Sequence, residues 1–338
     1  MQIRGMQRLL LITVALVSGM LPVTASTRDY LKQPDGWFRS SEGKQRLGNL
    51  LTYQDPSGCW PKNMDTTVEP YQGDRRKLKG TFDNSATVNE LRLLGRAYNA
   101  TKQDPYREAF NKGIQCILDA QYSNGGWPQN PKASEYHQHI TFNDGTMIGL
   151  MNLLREVFED EQYRFVDAKM RQRSNDAFQR GVECILACQI RVKGTRTAWC
   201  AQHDRESLEP RGARSYEHPS ISGHESAGII LLLMSIREPS TSVRESVRAA
   251  VEWYEQSRLD GIRLEKKKGD KRIVQSVGSP PLWARFYEIK TNRPIFSGRD
   301  GVIQYDMEAI ESERRNGYSW YVNSGARVME NWERWIWK

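Results

Sequence analysis

Three tryptophan turns set the frame of this chain. Trp60, Trp127 and Trp199 recur at intervals of 67 and 72 residues. Their settings are Gly58-Cys59-Trp60-Pro61-Lys62-Asn63, Gly125-Gly126-Trp127-Pro128-Gln129-Asn130 and Thr197-Ala198-Trp199-Cys200-Ala201-Gln202. A polar loop follows each turn, and then a new apolar segment. Self-similarity at so long a period constrains architecture before any single element is assigned, because each repeat buries its apolar face on the next. Pairs of segments with helical apolar period fill the intervals, at 86–98 and 106–122, 147–158 and 174–189, 226–237 and 241–257. In the second of these, Phe110, Ile114, Ile117 and Leu118 fall on one side. Pro105 and Pro239 fall in the breaks, where proline is tolerated.

Helix, short loop, helix and longer loop, three times over, predict a mainly α fold: an α/α toroid of three helical-hairpin repeats. The tryptophan turns and their trailing loops then gather at one end, where a rigid scaffold commonly carries function. An ordinary helical solenoid with structural tryptophans has the same period. After the third pair the pattern changes. Residues 262–265 and 272–275 alternate around Lys266, Lys267, Lys268 and Lys271, which predicts a β-hairpin with a basic tip in a small C-terminal region.

Residues 1–25 stand apart. Arg4 and Arg8 precede an apolar run at 9–17, and Pro22-Val23-Thr24-Ala25 offers small residues for cleavage, the plan of a secretory signal peptide. The run is too short to span a bilayer comfortably, and no later segment reaches spanning length. The expected organisation is a signal peptide at 1–25 and one catalytic toroid domain at 26–338. The mature protein is expected to be secreted, to the periplasm or beyond, with no membrane association after cleavage. Removing Arg4 and Arg8 lowers the formal charge from +8 to about +6. A basic exported protein favours a polyanionic partner. Export and the lack of a recognised motif disfavour nucleic acid. The five cysteines, Cys59, Cys116, Cys184, Cys188 and Cys200, match no zinc spacing. They read first as core residues and second as disulfides, with an odd thiol left over.

Two acids stand immediately before apolar helices, in Phe82-Asp83-Asn84-Ser85-Ala86-Thr87 and Phe142-Asn143-Asp144-Gly145-Thr146-Met147. They read as equivalent places in successive repeats. Each fits an N-cap, whose carboxylate bonds the free amides of the first turn. Two acids at the same end of a toroid fit an oxygen-ligated cation such as calcium equally well. Three arginines, Arg214, Arg285 and Arg299, fit structural ion pairs or the bidentate capture of carboxylates.

With these stretches in hand, the chain resembles the family 10 polysaccharide lyases, which are pectate lyases. The resemblance runs in order from Gly58–Asn63 and Phe82–Thr87 through 124–129, 139–145 and Ala213-Arg214-Ser215-Tyr216-Glu217. It continues through 281–287, Pro294, Arg299-Asp300-Gly301 and 313–318, with Cys59 standing where glycine is expected. The resemblance implies a partial α/α toroid and calcium-assisted anti β-elimination on polygalacturonate (pectate). By resemblance Asp83 and Asp144, with Asn84, belong to the calcium site, and Arg214 matches the base at C5. Arg285 and Arg299 match substrate-binding arginines, with Lys62, Glu217 and His218 in the surrounding cleft. The chain is expected to act as a monomer.

Arginine is ordinarily protonated throughout the working range of proteins. A base role for Arg214 therefore calls for nearby positive charge to lower its pKa, and predicts an alkaline optimum. Two other readings fit the same residues. One is an inverting polygalacturonan hydrolase using Asp83 and Asp144 as general acid and base. The other is a non-catalytic binder of acidic polysaccharide, stacking sugars on aromatics such as Trp332, Trp335 and Trp337.

Overall fold

The computed structural model describes residues 27–335. The signal-peptide reading of 1–25 lies outside the described residues, as does Trp337. Two short helices, α1 (Thr27–Tyr30) and α2 (Asp35–Arg39), lead into α3 (Ser41–Thr52). Three helix pairs follow: α4 (Val88–Thr101) with α5 (Asp104–Asp119), α6 (Thr146–Glu159) with α7 (Ala168–Cys188), and α8 (Glu225–Met234) with α9 (Thr241–Gln256). A short α10 (Ser312–Gly317) precedes α11 (Ser324–Trp335).

Helices α4, α6, α8 and α11 pack successively side by side, while α5, α7 and α9 flank them outside. This is the partial α/α toroid. The inner position shows in α8, which buries Ile229, Ile230, Leu232 and Leu233 around most of its circumference. The outer α9 buries one stripe, Val243, Val247, Ala250, Val251 and Tyr254, and leaves charges opposite. Side-chain caps start the outer helices: Asp167 accepts from the Met170 amide on α7, and Ser240 from the Val243 amide on α9. Pro105, expected in a break, lies instead in the first turn of α5, where its missing N–H removes no helix bond.

The tryptophan turns share one hydrogen-bond plan. Each indole N–H donates to a carbonyl of the preceding outer helix: Trp60 to Leu50 at 2.9 Å, Trp127 to Ile117 at 2.8 Å and Trp199 to Ile185 at 2.7 Å. A glutamine locks each turn to its own loop and to the next outer helix. Gln54 donates to Gly58 and Ala109, Gln121 to Gly125 and Ala177, and Gln189 to Thr197 and Ser246. Gly58 and Gly125 have φ of +106° and +90°. A Cβ on either would collide with the carbonyl of Lys112 or Arg180 in the adjacent outer helix. Cys59 does not disturb the plan. Asp55 N–H reaches the Cys59 carbonyl at 2.9 Å, as Tyr122 N–H reaches that of Gly126 at 2.9 Å.

A fourth copy appears that spacing alone does not reveal. Trp283 donates to the Tyr254 carbonyl of α9 at 2.8 Å, and the Leu259 amide closes on the Leu282 carbonyl at 2.9 Å. The β-hairpin is therefore an insertion in this fourth turn. It pairs from Ile262↔Gln275 to Lys267↔Asp270, so the ladder runs further than expected and only Lys268-Gly269 turns. Both turn residues have positive φ, as a two-residue hairpin connection demands.

Beside the main core sits a second cluster: Tyr216, Phe286, Ile295, Phe296, Met307, Ile310 and Trp320. All five cysteines are buried free thiols, in keeping with core roles. Trp332 and Trp335 pack against the main core. No described helix is long and apolar enough to cross a membrane.

Candidate active site

Past each tryptophan turn the chain returns to the loop end by the same contact. The amides of Thr81, Thr141 and Ser222 bond the carbonyls of Trp60, Trp127 and Trp199 at 2.9, 3.0 and 2.7 Å. Counting from these amides corrects the register of the acids. Asp83 is equivalent to Asn143, and Asn84 is equivalent to Asp144. The backbone agrees, with φ of +53° at Asn84 and +51° at Asp144. The third station puts Glu225 in the place of Asp144.

Neither Asp83 nor Asp144 is an N-cap. They lie in the 3-10 turns Asp83–Ser85 and Asn143–Gly145, and the residues at the cap positions of α4 and α6 are Thr87 and Gly145. Asp83 accepts from the Lys62 side chain and Asp144, itself the left-handed residue of its turn, from that of Asn143; neither accepts from a helix amide among the described residues, so neither carboxylate caps. The N-cap alternative falls on this geometry.

The two turns pack on each other. Asp83 is only 3% exposed. Its Oδ2 accepts from Lys62 Nζ, but its buried Oδ1 takes no hydrogen bond from any described residue. An unpartnered buried carboxylate oxygen costs several kcal/mol unless something else satisfies it, on the order of 1–3 kcal/mol for a neutral group and more for a charge. Asp144 is more open. Its Oδ2 accepts from Asn143 Nδ2 at 2.7 Å, and its Oδ1 lies 3.7 Å from Arg285 Nη2. Burial raises the Asp144 carboxyl above its ordinary range; Arg285 opposes the shift, while Glu225 and Asp83 add to it.

Arg285 is the buried hub, 6% exposed. Its Nη2 donates to Glu225 Oε1 at 2.6 Å and Asn143 Oδ1 at 3.3 Å, and its guanidinium lies 4.8 Å from the Tyr318 ring centroid. Burial alone would lower its pKa, but Glu225, Tyr318 and Asp144 more than offset that and hold the charge. Tyr318 also joins the second basic group. Its hydroxyl donates to Glu217 Oε1 at 2.6 Å, while Arg214 stands 5.7 Å from its ring and 5.0 Å from that of Tyr216.

Arg214 is gripped by Glu217 through Nε, at 2.8 Å, and through Nη2. The expected lowering of its pKa is not produced by the groups around it. The hydrogen bonds it donates to Glu217 push it further up, against a smaller opposing effect of burial. Glu217 itself is driven up by burial but drawn below its ordinary range by Arg214 and Tyr318. Arg299 points its fork at a protein acid, Glu313, at 2.9 and 3.0 Å, and is largely exposed. Its carbonyl accepts from Ser215 Oγ at 2.9 Å, tying its loop to that of Arg214. His218 contacts Ser297 Oγ at 3.2 Å, and burial lowers its pKa, which keeps it neutral at neutral pH.

The structure thus brings Asp83, Asn84, Lys62, Asp144 and Arg285 together on one side, with Arg214, Glu217 and His218 beyond Tyr318. Glu225, Asn143 and Tyr318 are additions that residue patterns did not single out. Glu225 is legible only by counting from the third tryptophan turn, because the apolar period of α8 begins at Ser226. Among the described residues no three His, Cys, Asp or Glu side chains gather closely enough to hold a metal ion by themselves.

An α/α ring that crowds acids and aromatic-stacked arginines at its loop end has the make-up of a site for an anionic substrate. A model of the pectic acid lyase family matches residues 54–329. Two solved structures of a family 10 polysaccharide lyase from Cellvibrio cellulosa are similar, each with 32% identity and a TM-score of 0.80. One is an aspartate-to-alanine mutant in complex with trigalacturonic acid, and the match covers 91% of this chain and 98% of that one. The other covers 90% and 97%. No curated protein matches. The chain belongs to the pectic acid lyase family and is a lyase.

Proposed function

We propose that the chain cleaves polygalacturonate by calcium-assisted anti β-elimination, with Arg214 as the group that takes the C5 proton. The observation that carries this reading is Asp83 Oδ1, buried and without a partner among the described residues, beside Asp144 and Asn84. Two carboxylates and an amide fall short of the six to eight oxygens that calcium takes, on the order of half its shell. That set fits a cation shared with a substrate carboxylate better than one held by protein alone. Bound there, calcium would neutralise charge developing on the C6 carboxylate next to C5. The similar structure that holds trigalacturonic acid supports the substrate class.

The protein's own residues then divide the work. Arg285, fixed by Glu225 and Asn143, presents constant positive charge beside Asp144. Lys62 and Arg299 border the path of an anionic chain, and His218 adds a neutral hydrogen-bonding edge. Arg214 cannot wait as a neutral base near neutral pH while Glu217 holds it. Glu217 grips Nε and Nη2, not Nη1. In our reading Nη1, the end that Glu217 leaves free, yields a proton to solvent as pH rises, and the lone pair so freed takes the C5 proton and returns Arg214 to the guanidinium. The electrons of the C5–H bond form the C4–C5 double bond, and the C4–O bond breaks. No water is consumed.

The test is ultraviolet absorbance of unsaturated uronate from polygalacturonate, with added calcium or chelator. Absorbance that rises only with calcium, and is lost in Arg214→Ala, is the expected result. Reducing ends without absorbance would show hydrolysis instead. Binding without turnover under every calcium and pH condition would show a binding protein. The mature protein is further proposed to be secreted and to work as a monomer, which fractionation and light scattering check.

A further inference from the structure

On the Lys62 side of the site lies a cleft of about 970 Å³, lined by residues of the first and second tryptophan turns. Its walls carry Lys62, Arg76, Lys77, Lys79 and Lys132. The one acid in the lining is Asp55, and its carboxylate is consumed by the amides of Gly58, Cys59 and Gly80 and by Ser57 Oγ. Arg76 is paired with Asp74, but Lys77, Lys79 and Lys132 are exposed and make no ion pair among the described residues. Charge in this cleft is therefore net positive and available.

A second, independent feature points to a ligand with hydroxyl groups. Gln129 lines the same cleft, is buried, and its Oε1 accepts no hydrogen bond from any described residue. A buried amide oxygen of this kind calls for a donor. Lysines answer carboxylates and an amide oxygen answers a hydroxyl, and a uronic acid carries both groups on one ring. The volume is near the upper end of small-ligand sites, roughly 300–1,000 Å³, with room for more than one sugar.

We infer that this cleft is a distal arm of the substrate groove, binding uronate units several residues along the chain from the scissile bond. This rests on the polygalacturonate reading above. Lys62, which touches both Asp83 and the cleft, is the junction. The arm gives the enzyme a preference for long chains over short ones, set by Lys77, Lys79, Lys132 and Gln129.

The test combines kinetics and binding. A Lys77→Ala/Lys79→Ala/Lys132→Ala variant should lower the ratio of kcat/KM on long polygalacturonate to that on the trimer about tenfold, the product of three modest charge contacts. The triple Lys→Arg variant should keep the ratio. Exposed lysines are spared by the fold, and an unchanged Tm verifies it. Calorimetric affinity for long polygalacturonate in an Arg214→Ala background reads the arm without turnover, and should also fall about tenfold in the triple alanine variant. Tight, lysine-dependent binding by a chain that makes no unsaturated product would overturn the lyase mechanism and uphold the arm. An alanine variant that binds long chains like its parent overturns the arm whatever the activity.

Discussion

Asp83 and Asp144 stand at successive stations of a repeat, each a fixed count beyond a main-chain bond to a tryptophan carbonyl. Arg214 and Arg299 hang from irregular chain around a separate aromatic cluster, Tyr216, Phe286, Phe296 and Trp320, and Arg285, two residues past the fourth tryptophan, borders it. The acidic side inherits its positions from the ring. The basic side is positioned by side chains: Glu225 and Asn143 on Arg285, Glu217 on Arg214, Glu313 on Arg299. Repeats place backbone well and leave side chains free, whereas a cluster of stacked rings and ion pairs fixes the side chains themselves. A site that needs an open cation position and rigid cationic walls gains from having both.

The comparison predicts that the basic side is the more brittle. Arg285→Ala leaves buried Glu225 and the more exposed Asp144 without their cation, and should cost about 3–5 kcal/mol by urea unfolding, chiefly through Glu225. Adding Glu225→Gln should recover a good part of it, because the uncompensated charge is then gone. Equal losses in the single and double variants would break the account of Arg285 as hub.

The acidic side holds its own strain one layer down. Glu90 of α4 is buried beneath the first station, its Oε2 takes no hydrogen bond from any described residue, and burial raises its pKa to about 7. A raised carboxyl pKa favours the protonated fold. Its stabilisation is complete below the ordinary carboxylate range and is lost as pH climbs through about 7. Glu90→Gln should therefore gain up to about 3 kcal/mol at pH well above 7 and nothing near pH 4. A gain that does not change with pH would remove ionisation as its cause.

The smallest expected effect is the most diagnostic. Glu217→Gln removes the carboxylate that holds Arg214 charged, so the alkaline limb of kcat should move about one unit lower in pH. A pH profile of unsaturated product reads the shift. A limb that stays in place would show that Glu217 does not set the charge of Arg214.

The ring was legible because helical period and a recurring tryptophan are both written in residue type. Its fourth turn was not, since the inserted hairpin, Ile262–Lys267 with Asp270–Gln275, moves Trp283 far from the expected spacing. Asp83 and Asp144 were both legible as acids before helices. Their offset by one residue was not, because Phe-Asp-Asn and Phe-Asn-Asp differ only in order and the bonds at Thr81 and Thr141 settle the alignment. The arginines could be named but not their partners. Glu217, three residues from Arg214, is near enough to suspect. Glu225 with Arg285, and Glu313 with Arg299, meet only after folding.

Gln54, Gln121 and Gln189 each tie a turn to the outer helix one step ahead. Because the anchor points are main-chain carbonyls, they belong to the helices and not to any particular side chain. The loop between two such anchors can lengthen, as the Arg191–Val192/Thr195–Arg196 hairpin does in the third turn, while its neighbours keep their places. The loop end therefore behaves as a socket board with fixed terminals, on which new loops can rewire recognition without recalibrating the rest.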